Sequence, residues 1–142
     1  MADREATAVW EGAVPGGKGV MKFADYTGQF SYSSRFEEGV GTNPEELLGG
    51  ALAGCFAMAV SSGLTKAGYT PKLVQVTAKV ALRRIEGKAR IPSIHLVLVA
   101  DVPDVSAEDF QRIAAERKAD CPVSFALAGV EITLEATLNP AN

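Results

Sequence analysis

Hydrophobic and polar residues alternate along several segments of this chain, as they do in strands that bury one face. Val74 to Arg83 and Val130 to Leu138 place an apolar residue at every second position. Ile94 to Val99 is apolar at nearly every position, which predicts a more deeply buried strand, and Gly87 to Arg90 predicts the turn before it. The pattern therefore predicts a central antiparallel hairpin and a separate last strand.

The N-terminal part of the chain predicts shorter strands. Ala6 to Trp10 and Gly19 to Ala24 flank the turn-rich segment Val14 to Lys18, which indicates an N-terminal hairpin. Phe30 to Phe36 alternates aromatic with polar residues and predicts a third, half-buried strand, followed by a loop over Glu37 to Thr42.

One long apolar helix is predicted from Pro44 to about Ala67. Asn43 is a typical capping residue before a first-turn proline, and Gly68 is a typical stop signal. Leu47 to Leu64 carries no charge and has about the length of a minimal membrane span. Its many glycines and alanines predict close backbone contacts instead, and amphipathic strands lie on both sides. We therefore interpret it as a buried core helix.

Two further helices complete the predicted elements. Ser106 to Asp109 opens an amphipathic helix, and Cys121-Pro122 begins a short helical turn with proline at its first position. The order β-β-β-α-β-β-α-(α)-β, with hairpins joining the strands, indicates an α+β fold rather than a parallel doubly wound sheet. With 142 residues and no repeat or linker, residues 1–142 are predicted to form a single domain.

Composition excludes several classes of function. A formal charge of −3 argues against nucleic-acid and anionic-membrane partners. Two cysteines and one histidine are too few for a disulfide scaffold or a zinc site, so no metal is expected. The charged N-terminus lacks the apolar core of a secretory signal, which predicts a cytoplasmic protein with reduced thiols unless oxidation is their function.

The two cysteines lie in different surroundings. Cys55 is inside the apolar helix, where an inert buried thiol is the simple interpretation. Cys121 begins a helix, where unpaired amide groups favour a thiolate, although Asp120 opposes this effect. The sequence leaves open whether the two sulfur atoms meet.

Arg35 is the candidate cation for a reactive Cys55. A thiol reduces peroxide only as a thiolate, and within an apolar helix ionisation needs a fixed positive charge. The Arg35 guanidinium would also orient a peroxide oxygen, and a carboxylate would hold it in place. Alternatively, Arg35 is a surface charge that pairs with Glu37 or Glu38.

Four motifs carry a resemblance to a known family: Arg35-Phe36-Glu37, Gly41 to Leu47 (GTNPEEL), Cys55-Phe56 and Cys121-Pro122-Val123-Ser124. With these motifs the chain resembles the osmotically inducible protein C (OsmC) branch of the osmotically induced/organic hydroperoxide resistance family. The similarity runs from Trp10 to Leu134. The other branch carries its arginine in the N-terminal hairpin, where this chain has Gly16-Gly17-Lys18.

The resemblance implies N-terminal and central antiparallel hairpins packed around a long central helix, in an intertwined homodimer with active sites at the subunit interface. It implies a peroxiredoxin-like, cysteine-based enzyme that reduces organic hydroperoxides. Cys55 matches the peroxidatic cysteine, Cys121 the resolving cysteine, and Arg35 and Glu45 the catalytic arginine and glutamate. The implied reductant is an external dithiol, and the family favours a dihydrolipoyl group. No cofactor is implied.

Glu45 provides a physical argument for the dimer. In a straight helix Glu45 and Cys55 lie about 15 Å apart along the axis. Either the helix bends sharply, or Glu45 serves the cysteine of the other subunit, as we expect for an obligate dimer. Without the resemblance, Glu45 is simply a first-turn acid that favours the helix dipole.

Two other functions remain open. The first is a non-catalytic small-ligand-binding or stress-structural dimer whose cysteines are merely buried. The second is a hydrolase or acyl transferase that uses Cys55, but it lacks a suitable base. His95, the single histidine, is predicted on a strand and far from either cysteine in the sequence.

Overall fold

The computed structural model describes residues 2–140, which divide into two compact units, one up to Leu47 and one from Leu48. The first unit contains an antiparallel sheet of β1 (Thr7–Glu11), β2 (Lys18–Phe23) and β3 (Tyr26–Phe30), in that order. The predicted N-terminal hairpin is confirmed, with Val9 opposite Val20.

The strand predicted over Phe30 to Phe36 is wrong. The chain leaves β3 at Phe30, and Tyr32–Phe36 forms the short helix α1. The side chain of Ser31 accepts a hydrogen bond from the Ser34 amide (3.1 Å), and the Ser34 hydroxyl accepts one from the Ser31 amide (2.8 Å). This reciprocal capping box stabilises a helical turn, which overrides the alternating pattern. Arg35 therefore lies on a helix rather than on a strand.

The long helix is confirmed as α2 (Pro44–Lys66). At its start the Asn43 side chain accepts a hydrogen bond from the Glu46 amide at 2.8 Å. At its end Gly68 has φ +95°, its amide donates to Thr65, and the next amide, of Tyr69, donates to Leu64, both at 3.0 Å. These two bonds form a Schellman motif, which needs a residue in the left-handed region.

The second unit contains β4 (Leu73–Val80), a small hairpin of β5 (Arg83–Ile85) and β6 (Lys88–Arg90), then β7 (Ser93–Asp101). It continues with α3 (Ala107–Asp120), α4 (Pro122–Ala126) and β8 (Glu131–Leu138). β4 pairs with β7 in antiparallel fashion, as predicted, and β8 adds to β7 in parallel. The parallel pairing is possible because two helices separate β7 from β8 along the chain.

The core of this unit lies between one face of α2, the sheet and α3. Every second residue of β7 from Ile94 is buried, and α3 contributes Phe110 and Ile113. The fully buried residues of α2 recur every four positions, as one helix face requires; they are Leu52, Phe56, Val60 and Leu64.

The opposite face of α2 is apolar but exposed. The predicted close contacts occur at Gly49, where an added Cβ would lie 3.1 Å from Val80, and at Gly63, where it would lie 2.9 Å from Ile113. They do not occur at Gly50 or Gly54, where a Cβ would meet none of the described atoms within 4 Å. Thus α2 has one packed face and one face on which Gly50 and Gly54 have open space toward the described residues.

By length and composition alone α2 could cross a membrane, since its most apolar window has a mean hydropathy of 1.7. However, its buried face belongs to the hydrophobic core formed with the sheet and α3. This packing is typical of the core helix of a soluble protein and favours the core-helix interpretation.

Candidate active site

The two cysteines meet in the second unit. Cys55 lies in the middle of α2, and Cys121 is the residue between α3 and α4. Their Sγ atoms are 2.6 Å apart, and both are free thiols. The question that the sequence left open is therefore answered: the fold brings together two thiols that are 66 residues apart.

The two sulfurs differ in access to solvent. Cys121 is buried, with 1% of its surface exposed, whereas Cys55 is partly exposed. By residue exposure, Cys55 is therefore the more accessible of the two cysteines.

The start of α4 influences the pKa of the Cys121 thiol. Burial raises the pKa of the Cys121 thiol, but its contact with Cys55, the amides of Ser124 and Val123 and the Ser124 hydroxyl together lower this pKa below the ordinary value of 9.0. The expected thiolate-stabilising effect of the helix start is present, because donors that face a sulfur favour its charged form.

The pKa of Cys55 moves in the opposite direction. Burial raises it and the neighbouring Cys121 thiol raises it further, while the Val123 amide lowers it only in part. Of the groups in residues 2–140 that set this pKa, none is a charged side chain. Within one chain Cys55 is therefore less readily ionised than an ordinary cysteine.

Arg35 and Glu45 form an ion pair in the first unit. The Arg35 Nη2 atom lies 2.7 Å and Nε 3.0 Å from Glu45 Oε1, while Nε is 3.3 Å from Oε2. The Glu45 side chain is 8% exposed and that of Arg35 38%. The guanidinium also lies over the Phe36 ring, 5.2 Å from its centroid. The arginine thus has the carboxylate partner that the sequence analysis required, and this partner is neither Glu37 nor Glu38.

His95 lies on β7, as predicted. Its Nδ1 atom is 2.7 Å from the Thr133 hydroxyl, at an exposed position of the sheet. His95 is therefore a strand residue that contacts a neighbouring strand. This position gives no support to a cysteine–histidine pair.

Comparison with known proteins identifies the family. The model of the family described as OsmC-like protein matches residues 37–135. The chain is 39% identical over 138 residues to a protein of Escherichia coli (strain K12) named Peroxiredoxin OsmC. The aligned region covers 95% of this chain and 96% of that protein. The chain belongs to the OsmC-like family.

Solved structures share the OsmC-like fold. An OsmC-like protein from Mycoplasma pneumoniae matches with a TM-score of 0.78 and 15% identity, over 96% of this chain and 97% of that one. The organic hydroperoxide resistance protein OhrB of Bacillus subtilis matches with a TM-score of 0.70 and 22% identity, over 94% of this chain and 98% of that one. The α+β fold of hairpins and a long helix is therefore that of the OsmC-like proteins.

The effect of Val123 and Ser124 on the Cys121 sulfur of this OsmC-like chain is not predicted from the sequence. Val123 and Ser124 contribute the amides and the hydroxyl that lower the Cys121 pKa. The signal was present, since Ser124 is three residues after a helix-capping position and residues at this spacing face each other.

Among residues 2–140, no group of three or more His, Cys, Asp and Glu side chains is arranged to hold a metal ion.

Proposed function

We propose that this OsmC-like chain is a thiol-dependent peroxidase that reduces organic hydroperoxides to alcohols in oxidative and osmotic stress defence. The observation that carries the proposal is the 2.6 Å contact between the sulfurs of Cys55 and Cys121. The name Peroxiredoxin OsmC of a 39% identical relative supports the reaction class. The name of the Bacillus subtilis neighbour, an organic hydroperoxide resistance protein, supports the substrate class.

The catalytic cycle has two oxidative steps and one reductive step. The Cys55 thiolate attacks the outer peroxide oxygen, the O–O bond breaks, and the alkoxide takes a proton to leave as an alcohol. Cys55 becomes a sulfenic acid. The Cys121 thiolate then attacks the Cys55 sulfur, forming an S–S bond and releasing hydroxide, which takes a proton to become water. An external dithiol reduces the disulfide through two exchange steps and is itself oxidised.

The order of the two cysteines follows from their access to solvent. Cys55 is partly exposed and can meet a hydroperoxide, whereas Cys121 is buried against it. The lowering of its pKa suits Cys121 for attack on the sulfenic acid, since the attacking sulfur must be ionised. Cys55 is therefore the peroxidatic residue and Cys121 the resolving residue in this proposal.

The charge that Cys55 lacks comes, in this proposal, from a second subunit. Helix α2 runs without interruption from Pro44 to Lys66, so its rise separates Glu45 and Cys55 by about 15 Å along the axis. The raised pKa of Cys55 involves no charged side chain among residues 2–140. The Arg35–Glu45 pair of one protomer then serves Cys55 of the other, lowering its pKa and orienting the peroxide.

The exposed face of α2 supports the same assembly. Gly50, Ala51, Gly54 and Met58 are exposed, and Met58 is 77% exposed. Small residues allow two helix backbones to approach closely, and a large exposed apolar surface typically marks an interface. We propose an intertwined homodimer in which the α2 helices of the two protomers pack together, each chain acting as a single peroxidase domain.

The remaining partners follow from the chemistry. The cycle requires neither a metal nor a flavin, because sulfur undergoes all the oxidation and reduction. The reductant is a dithiol, with a dihydrolipoyl group as the first candidate, and the compartment is the cytoplasm, where thiols are kept reduced between turnovers. The charge of −3 argues against nucleic-acid and membrane partners.

Thiol titration tests the proposal directly. The reduced protein is counted for thiols before and after one equivalent of cumene hydroperoxide, without any reductant. Loss of both thiols per chain, with formation of a Cys55–Cys121 disulfide in the peptide map, is the expected result. Retention of both thiols would favour the alternative, a non-catalytic small-ligand-binding or stress-structural dimer. The Cys55→Ser variant, which should retain its one thiol, is the matched control.

A further inference from the structure

The hydroxyl of Ser124 is buried without a partner. Ser124 is 9% exposed, and its Oγ atom makes no hydrogen bond of standard geometry within the described residues 2–140. No other buried side-chain nitrogen or oxygen in this part of the chain is left without one. Buried polar atoms are nearly always paired in native proteins, so an exception requires a physical explanation.

A second helix of the same chain shows what a serine in this position normally does. In α1 the capping residue Ser31 is followed three residues later by Ser34, and the Ser34 hydroxyl accepts a hydrogen bond from the Ser31 amide at 2.8 Å. In α4 the capping residue Cys121 is followed three residues later by Ser124. The spacing between the two residues is the same in both helices. The capping residue is a serine in α1 and a cysteine in α4, and the residue three positions later is a serine in both.

The reciprocal backbone bond of α1 is not available in α4. The Cys121 amide already donates to the Arg117 carbonyl at 3.1 Å, which closes the last turn of α3. A hydroxyl at the third position of α4 therefore has no capping amide to accept from. The other polar group of the capping residue is the Cys121 side chain. In the thiol form described here it makes no hydrogen bond with the Ser124 hydroxyl, whereas a thiolate is a good acceptor for a hydroxyl proton.

We propose that Ser124 is a positioning residue for Cys121, whose hydroxyl donates a hydrogen bond to the Cys121 thiolate and holds that sulfur toward Cys55. The influence of the Ser124 hydroxyl on the sulfur, which lowers the Cys121 pKa, supports this assignment. The role rests on the proposed function, because it concerns the resolving step.

In that step Cys121 attacks as a thiolate, the Cys55–oxygen bond of the sulfenic acid breaks, and water leaves after taking one proton. A hydrogen bond from Ser124 increases the fraction of Cys121 that is ionised and keeps it in line with the Cys55 sulfur. It is not needed for the reaction of Cys55 with peroxide, so that first step should proceed without it.

The Ser124→Ala variant tests the contact without any turnover. In a Cys55→Ala background, which leaves Cys121 as the sole thiol, the ultraviolet absorbance of the thiolate is followed against pH. We expect Ser124→Ala to raise the midpoint of the Cys121 titration by about one pH unit, because a hydrogen bond to the thiolate favours the charged form. Ser124→Thr, which keeps the hydroxyl, should restore the midpoint.

Thermal unfolding distinguishes positioning from a structural role. Below the Cys121 midpoint the sulfur is a thiol and the Ser124 hydroxyl has no partner among residues 2–140, so Ser124→Ala should change the melting temperature little at that pH. Ser106→Ala is the matched control, because the Ser106 side chain caps α3 by accepting from the Asp109 amide at 3.0 Å. This control should lower the melting temperature and leave the Cys121 midpoint in place.

Rapid-mixing experiments on the two-cysteine protein then test the resolving step. Ser124→Ala should consume the first equivalent of hydroperoxide at the wild-type rate but form the disulfide about tenfold more slowly at a pH below the Cys121 midpoint, with a longer-lived sulfenic acid. An unchanged Cys121 midpoint in Ser124→Ala would overturn the proposal, whatever the melting temperature. A midpoint that shifts in a protein unreactive toward hydroperoxide would instead refute the peroxidase function alone.

Discussion

The sulfur atoms of Cys55 and Cys121 lie 2.6 Å apart, with Cys55 partly exposed and Cys121 buried. This arrangement gives the two thiols different roles, and single substitutions separate them. We expect Cys55→Ser to abolish hydroperoxide consumption. Cys121→Ser should still react once per chain and then accumulate a sulfenic acid, because no neighbouring thiol can condense with it. Peroxide consumption and trapping of the sulfenic acid, followed by mass spectrometry, measure both outcomes. A Cys55→Ser variant with wild-type turnover would refute the assignment.

The pH dependence of the first step should reveal the cation that ionises Cys55. Its pKa within the chain is raised by burial and by Cys121, so less thiolate is present at neutral pH than in an ordinary cysteine. If Arg35 lowers this pKa, Arg35→Gln removes the effect and moves the pH–rate profile toward higher pH. For each pH unit that the profile moves, the rate at neutral pH should fall by about tenfold, because the thiolate fraction falls by that factor.

The matched control for Arg35→Gln is Arg112→Gln. Arg112 also pairs with carboxylates, Asp109 and Glu116, but its side chain is 55% exposed on α3. This substitution should leave the profile in place. An unchanged profile in Arg35→Gln, with normal folding, would remove Arg35 from the ionisation of Cys55.

Mixed dimers test whether the Arg35–Glu45 pair acts across subunits. Cys55→Ser and Arg35→Gln are each expected to be nearly inactive alone. After unfolding and refolding in equal amounts, about half of the dimers are hybrids with one complete site each, so about a quarter of wild-type activity should return. If the pair served Cys55 of its own chain, mixing would restore nothing. Sedimentation of the wild type should show a dimer, and a fully active monomer would contradict the assembly.

The end of α2 offers a prediction about stability. Gly68 adopts φ +95° in the Schellman motif, a conformation in which a Cβ atom is strained. Gly68→Ala should therefore lower the free energy of unfolding by about 1 kcal/mol, as measured by urea denaturation. Gly129→Ala is the control, because Gly129 is not among the glycines of positive φ and an added Cβ would meet no described atom within 4 Å. Equal effects of the two substitutions would contradict the explanation.

Local signals predicted most of the fold. The capping asparagine, first-turn proline and terminal glycine determined α2 because they act on the backbone groups of their own helix. Strict alternation predicted β4 and β8 because a strand with one buried face has a period of two. The same rule failed at Phe30 to Phe36, where two serines three residues apart form a capping box whose hydrogen bonds the alternating pattern does not reveal.

The sequence by itself determined most of the elements, the two thiols and, through the Thr42-Asn43-Pro44-Glu45 and Cys121-Pro122-Val123-Ser124 motifs, the family. Only the tertiary structure decided that the thiols meet, that Arg35 pairs with Glu45, and that Cys121 rather than Cys55 has the lower pKa within one chain. The physical reason is the distance along the chain between the groups that interact. Caps and periodicity depend on neighbours a few residues away, whereas a thiol pKa depends on burial and on donors that distant segments bring to the sulfur.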